Sequence, residues 1–257
     1  MTVAPKKALG QHFLVDENIL GVIERLSDLH STEVVLEIGP GLGILTRRLA
    51  ERARFVHAIE LDRSLEAELR AALSDHANVR LVWGDALKLA IDELEPEPTK
   101  LVANLPYNVA TPLVVESLEH ASSIERWCVM VQREVADRFF AEPRTKAYGA
   151  VSVLVQLSAR KVGFHAVSPA VFRPQPRVDS ALVAFERDVV APISDVRPAV
   201  EAAFAHRRKT AANSIALSGL ALRAQVEEAL SAMGHPVNAR AEELEPREFV
   251  QLAELLA

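Results

Sequence analysis

Across its first two-thirds the chain alternates short apolar runs with stretches of helical periodicity. Val34–Ile38, Phe55–Glu60, Val79–Trp83, Leu101–Asn104 and Trp127–Val131 read as strands. Between them, Ile44–Arg54 sets Leu45 and Leu49 four residues apart with Arg47, Arg48 and Glu51 on the other side, and Leu65–Leu73 and Glu134–Phe140 also read as helices. Thr111-Pro112 is expected to open a further helix as N-cap and first helical residue. Parallel strands need a crossover between them, so this alternation predicts a Rossmann-like α/β sheet with helices on both faces. Val162–His165 and Val178–Glu186 read as later strands. After Val189 the segment APISDVRP reads as a linker, followed only by helical stretches at Ala199–Ala205, Ala211–Leu217, Gln225–Met233 and Arg247–Leu256. The expected layout is an α/β domain over 1–188 and a small all-α domain over 189–257.

Composition narrows the class. With 257 residues, 49% of them apolar, the chain is neither disordered nor low in complexity. A single cysteine, Cys128, excludes an internal disulfide and a multi-thiolate metal site, and its apolar setting reads as core. No His, Cys or carboxylate spacing suggests a metal. The longest uncharged stretch, Leu101 to Val115, holds two asparagines and two prolines in 15 residues, too short and polar for a membrane span of ~20 residues. The N-terminus lacks the apolar core of a signal peptide, so the expectation is a cytoplasmic, non-membrane protein, read as a monomer.

The turn Glu37-Ile38-Gly39-Pro40-Gly41-Leu42-Gly43 joins the first of these strands to the first of these helices. Glycines there let the backbone approach a ligand, and the helix N-terminus offers free N–H groups. Glu60 ends the next strand and is placed to accept hydrogen bonds from ribose hydroxyls. Asp85 follows the third strand in Gly84-Asp85. Glycine, carboxylate and carboxylate along one sheet edge point to a nucleoside-type ligand. A dinucleotide site wants GxGxxG, whereas here the third glycine comes one residue early. A second carboxylate poised for an adenine amino group suits S-adenosylmethionine (SAM) better than NAD.

Asn104-Leu105-Pro106-Tyr107 follows the fourth strand on the same edge. The exocyclic amino group of a base is a weak nucleophile because its lone pair is delocalised into the ring. A site that methylates it gains by accepting its N–H groups, which localises the lone pair and aims it. The Asn104 side-chain carbonyl and the Leu105 backbone carbonyl are candidate acceptors. Pro106 restricts Leu105, and Tyr107 offers a stacking face.

With these residues in view, the sequence resembles the ribosomal RNA adenine N6-dimethyltransferases, and within them the small-subunit (16S) branch linked to kasugamycin sensitivity. The resemblance spans essentially the whole chain. It rests on GQHFL (10–14), EIGPGLGILT (37–46), AIELDR (58–63), GDAL (84–87), NLPYN (104–108), KAYGAVSVLVQ (146–156), VFRPQPRVDSAL (171–182) and AFAHRRKTAANSI (203–215). It implies that SAM is held at His12, Leu14, Gly39, Gly41, Glu60, Asp85 and Asn104, and the target adenine at Asn104 to Tyr107 with Phe172 as a second stacking partner. Position 12 is His where the family often has Asn. The implied reaction is dimethylation of two adjacent adenosines in a hairpin loop near the 3′ end of 16S rRNA, in small-subunit biogenesis. Two readings compete with it: a 23S rRNA adenine methyltransferase conferring drug resistance, which shares several motifs, and a ribosome-assembly factor in which turnover is secondary. KAYGAVSVLVQ and AFAHRRKTAANS favour the 16S reading.

The net charge of −6 tests that reading, because polyanion binders are usually basic. Residues 1–180 carry 21 basic and 24 acidic side chains and the remainder 8 and 11, so neither part is basic as a whole. The charge is instead local: Arg126 to Arg177 holds nine basic and three acidic residues. Arg207-Arg208-Lys209 is expected to open a helix of the second domain, and Lys6-Lys7 sits beside GQHFL. These clusters and Arg173 are the candidate RNA contacts, while Phe13, Phe139 and Phe140 read as core.

Overall fold

A computed structural model of the protein describes residue 6 and residues 10–257. Lys7, one of the expected RNA contacts, lies outside the described residues. Two compact units emerge, one running to Ala136 and resuming over Lys161–Arg187, the other formed by Asp137–Arg160 and Asp188–Ala257. The helical unit therefore takes in a segment from within the expected α/β domain as well as the C-terminal stretch.

The first unit begins with β1 (Phe13–Leu14) and α1 (Glu17–Ser27). Periodicity alone does not mark this helix, yet its local chemistry is clear. Asp16 caps it by accepting the Asn18 N–H at 2.8 Å, and Ile19, Leu20, Ile23 and Ser27 form its buried face. The sheet then builds from β2 (Val34–Ile38), α2 (Ile44–Ala50), β3 (Phe55–Glu60), α3 (Glu66–Ala72), β4 (Val79–Trp83), β5 (Lys100–Asn104), α4 (Ala110–His120) and β6 (Arg126–Gln132). The pairs β2–β3, β3–β4, β2–β5 and β5–β6 are parallel. The chain continues through α5 (Arg133–Phe139), α6 (Ala150–Gln156), β7 (Ala159–Val167), β8 (Phe172–Arg173) and β9 (Ser180–Arg187). The seven-stranded order is β4-β3-β2-β5-β6-β9-β7, and β1 pairs separately with β8.

Two features depart from expectation in this unit. β9 runs antiparallel to β6, with Gln132 opposite Ser180, so the sheet is mixed rather than wholly parallel. One antiparallel strand appended to a parallel sheet is a common arrangement. Thr111 does not cap α4, which starts at Ala110 with Val109 as N-cap. The Val109 N–H bonds the Pro106 carbonyl, so the loop turns directly into the helix. Pro112 then falls within the first turn, where a missing N–H costs nothing.

The second unit contains α5 from Asp137 onward, α6 and four further helices: α7 (Ile193–Phe204), α8 (Ala211–Ser218), α9 (Arg223–Ala232) and α10 (Pro246–Leu256). The expected linker 191–198 is mostly helical, because Ile193, Val196, Ala199 and Val200 form one buried face that carries Pro198 within the helix. Phe204 stacks on Phe249 at 5.6 Å and meets Tyr148 edge-on at 5.9 Å. Arg207 and Arg208 lie in the turn after α7 and do not open a helix; α8 starts behind Thr210, whose hydroxyl caps it.

Candidate active site

In this strand order, β2 has β3 on one side and β5 on the other. Open α/β sheets bind ligands at the carboxyl ends of strands on either side of such a switch point. A cavity of about 190 Å³ lies there, lined from the turn after β2, the end of β3, Asp85 after β4, the Asn104 loop after β5, and Gly10 to Leu14. His12, Leu14, Gly39, Gly41, Glu60, Asp85 and Asn104 to Tyr107 are thus gathered around one space.

The glycine turn is shaped by close approach. Gly41 has φ +58°, and a Cβ there would sit 3.0 Å from the Phe13 ring. Gly43 has φ +80° as N-cap of α2, and a Cβ would meet Leu69 on α3 at 3.0 Å. The first glycine serves the cavity and the second serves helix packing. That division accounts for the GxGxG spacing.

Glu60 is buried, and its two oxygens accept the Gly41 N–H at 3.1 Å and the Asp62 N–H at 2.8 Å. Burial pushes its carboxyl above the ordinary value, and those hydrogen bonds oppose the rise. Asp85 accepts the Leu87 N–H at 3.1 Å. Leu61, Leu42 and Leu87 add exposed apolar surface to the lining, at 56%, 39% and 38%.

Asn104 is the most informative side chain. Its amide nitrogen donates to the His12 carbonyl at 3.1 Å, which fixes the amide orientation. Its carbonyl oxygen is buried without a hydrogen-bond partner. Buried acceptors are nearly always satisfied, so an open one in a cavity wall marks where a ligand donor belongs. Tyr107 bonds the Ser180 hydroxyl at 2.5 Å, and its ring stacks on His12 at 5.4 Å. Burial pushes the Tyr107 phenol up, so it stays protonated at neutral pH.

Other expected contacts are placed differently. The His12 Nδ1 lies 2.7 Å from the Pro174 carbonyl, which can only accept, so Nδ1 carries the proton. What His12 supplies to Asn104 is its backbone carbonyl. Phe172 is fully buried in the core cluster and is absent from the cavity lining, because its pairing with Leu14 draws it beneath β1. It presents no stacking face. Arg173 is exposed, and its guanidinium donates to the Phe172 carbonyl at 3.0 Å. Lys6 pairs with Asp62 at 2.6 Å, which directs its charge into the protein rather than toward a phosphate. Burial alone would push the Asp62 carboxyl up, but donors on Lys6, Ser64 and Gln11 outweigh it and hold the group well below the usual range. Arg207 donates to the Lys146 carbonyl at 2.5 Å and pairs with Glu242 at 3.8 Å, while Arg208 and Lys209 are exposed. Glu116, Glu119 and His120 on α4 draw together at the surface, an i, i+4 charge cluster.

Sequence reasoning missed Phe13 and Glu37, which both line the cavity. Phe13 reads as a core aromatic, and only its juxtaposition with Gly41 reveals it. Glu37 is fully buried, and burial raises its carboxyl to about 8 against a lowering contact from Thr46, with the Glu60 charge adding to the rise.

The sequence model of the family described as "Ribosomal RNA adenine dimethylase" matches residues 4–257. The chain belongs to the ribosomal RNA adenine dimethylase family. It is accordingly a methyltransferase whose substrate is rRNA. A protein named "Ribosomal RNA small subunit methyltransferase A" from Rubrobacter xylanophilus is 50% identical over 98% of this chain and 95% of its own. One of the same name from Kineococcus radiotolerans is 44% identical over 98% and 86%. Among solved structures, a dimethyladenosine transferase from Plasmodium falciparum shares the fold with TM-score 0.75 at 24% identity, over 94% of this chain and 96% of that one. The 23S rRNA methyltransferase ErmE matches with TM-score 0.67 at 31% identity, over 95% and 99%. Among the described residues no helix of this dimethylase is long and apolar enough to cross a membrane.

Proposed function

We propose that the protein uses SAM to dimethylate the N6 amino groups of two adjacent adenosines in a hairpin loop near the 3′ end of small-subunit (16S) rRNA. The small-subunit target is supported by the names of the 50% and 44% identical relatives, against a 23S enzyme at 31%. The observation that carries the chemistry is the open, buried carbonyl of Asn104 beside a fixed amide nitrogen.

The residues present fit SAM. Gly41 leaves room beneath Phe13 that a Cβ would fill. Each Glu60 oxygen accepts one backbone N–H and keeps a second lone pair for a ribose hydroxyl. Asp85 suits an adenine amino group, and Leu61, Leu42 and Leu87 suit the faces of its ring. Gly39, His12 and Leu14 complete the enclosure, His12 through its backbone. When bound, SAM supplies an electrophilic methyl group on a sulfonium.

The Asn104 and Leu105 carbonyls accept the two N–H groups of the target amine and turn its lone pair toward that methyl. Pro106 restricts Leu105, and the base stacks on the Tyr107 face turned away from His12. No strong base is required, because the alkylated nitrogen is itself acidic; the protonated Tyr107 serves as a surface. After the first methyl only one N–H remains, so the second round relies on one acceptor at a time. Exposed Arg208 and Lys209 are assigned to phosphates in the surrounding RNA, with Arg207 spanning Lys146 and Glu242.

The test is to incubate the protein and labelled SAM with separated ribosomal subunits from cells lacking the enzyme, then map the label. Two adjacent dimethyladenosines in small-subunit RNA are expected. Label confined to the large subunit, or to a single monomethylated position, overturns the reading.

A further inference from the structure

Arg133 directly follows β6, and its guanidinium carbon lies 4.7 Å from the centre of the Phe164 ring on β7. Both are exposed, Phe164 by 39%. Arg187 on Trp127, at 5.0 Å, covers a fully buried ring and reads as core structure, while Arg80 on Phe55 and Arg63 on Trp83 sit further off, at 5.5 and 5.9 Å. The Arg133–Phe164 pair faces outward on β7, an edge strand.

Its position ties it to the site. Gln132 at the end of β6 pairs with Ser180, whose hydroxyl holds the Tyr107 phenol. One residue further, the Arg133 N–H bonds the Asp179 carbonyl at 2.9 Å. A single residue step along the chain therefore separates Arg133 from the strand pairing that anchors the tyrosine assigned to the target base. The residues beside the Arg133–Asp179 bond are of mixed sign, Glu134 and Asp179 against Arg133 and Arg177, all of them exposed. A phosphate contact calls for net positive charge. A planar guanidinium already laid on an exposed aromatic ring suits the face of a base.

We propose that Arg133 and Phe164 form a stacking platform for an unpaired nucleobase of the rRNA substrate that flanks the target adenosine. This rests on the rRNA methylation reading above. The platform orders the strand beside the splayed-out target, and it tolerates different bases because every base has a π-face.

The test uses the full chain, unmethylated small subunits and saturating SAM. Phe164→Ala is expected to raise the RNA concentration for half-maximal rate by about 5- to 150-fold, the range found for loss of one base stack. The single-turnover rate at saturating RNA and the dependence of affinity on salt should match wild type, because no phosphate contact is lost. Phe164→Trp should keep near-wild-type affinity and show an emission change on RNA binding beyond that of wild type. That variant decides the matter if the alanine protein does not fold. RNA affinity of Phe164→Ala within twofold of wild type, a flattened salt dependence, or a Phe164→Trp signal indifferent to RNA overturns the platform. If wild type methylates the subunit while Phe164→Ala is indistinguishable from it, only the platform falls; if wild type leaves RNA unmethylated, both readings fall.

Discussion

The strand β5 begins at Lys100 and ends at Asn104, and its two ends are built on opposite rules. The Lys100 ammonium is buried and donates to the Ser27 and Asp28 carbonyls while pairing with Glu33 at 3.3 Å. Glu33 in turn accepts the Thr99 hydroxyl, and nearby Arg126 on β6 bonds the Leu26 carbonyl and Glu186. At the other end, Asn104 has a pinned amide nitrogen and an open carbonyl, and the buried Glu37 on the neighbouring β2 also keeps an unpartnered oxygen. Along β5, the polar groups are saturated at the end on which the fold depends. At the end facing the cavity they are left open, which is where the proposed ligand would complete them and where local rules are expected to be broken.

The largest effect is expected at the saturated end. Lys100→Met leaves Glu33 and two carbonyls without their buried cation, and breaking such a pair costs about 3–5 kcal/mol. Urea denaturation should show that loss, while methyl transfer per folded molecule stays at the wild-type level. A stable variant with impaired transfer would invert the contrast. Asn104→Ala tests the open end. Its stability should stay within about 1 kcal/mol of wild type, since no fully satisfied network is lost. Its single-turnover methylation rate should fall about 10²–10³-fold, the scale for removing one preorganised electrostatic contact, with RNA affinity retained. Unimpaired single-turnover methylation refutes the role given to the open carbonyl.

Glu37 sharpens the comparison through pH. Its native carboxyl ionises near 8 against an ordinary 4.5, so between these values the unfolded chain has released a proton that the native protein keeps. Native stability therefore declines as pH rises through that window and levels off above it, a cost on the order of 3 kcal/mol by pH 7. Glu37→Gln does not titrate. Its melting temperature relative to wild type should climb from pH 4.5 to 8. A constant difference across that range would mean that Glu37 is ionised throughout and has found a partner.

The strands and the strand-end residues were legible because each is a local signal. β3 and β4 are apolar runs closed by a carboxylate or followed by glycine, and both match their expected bounds. Asn104, Glu60 and Asp85 come together because the strand order brings three strand ends to one edge. What escaped depends on pairings between distant segments. β9 reverses direction against β6 through contacts 48 or more residues apart in sequence. Phe172 looks like a free aromatic beside an arginine until β8 pairs with β1 and buries it. Lys6 looks like an RNA contact until Asp62 is found 2.6 Å away. Pro198 reads as a linker residue, and the apolar face of α7 outweighs it.

The smallest expected effect concerns Ser180, where the two rules meet. Its side chain is fully buried, and the partner of its hydroxyl is Tyr107, 73 residues away in sequence. The pair is saturated like the Lys100 end, yet it holds in place the ring proposed to carry the base. Ser180→Ala leaves the phenol partly buried without its partner, at a cost of about 1 kcal/mol. That cost should appear as a roughly fivefold fall in kcat/KM with SAM affinity unchanged, because the ring is less well held and the site is otherwise intact. Tyr107→Phe should behave similarly, since it keeps the stacking face and loses the same bond. The decisive measurement is the double variant. If Ser180 acts through Tyr107, Ser180→Ala with Tyr107→Phe is no worse than either single change. If the two losses add in full, Ser180 contributes to the core and not to the position of the ring.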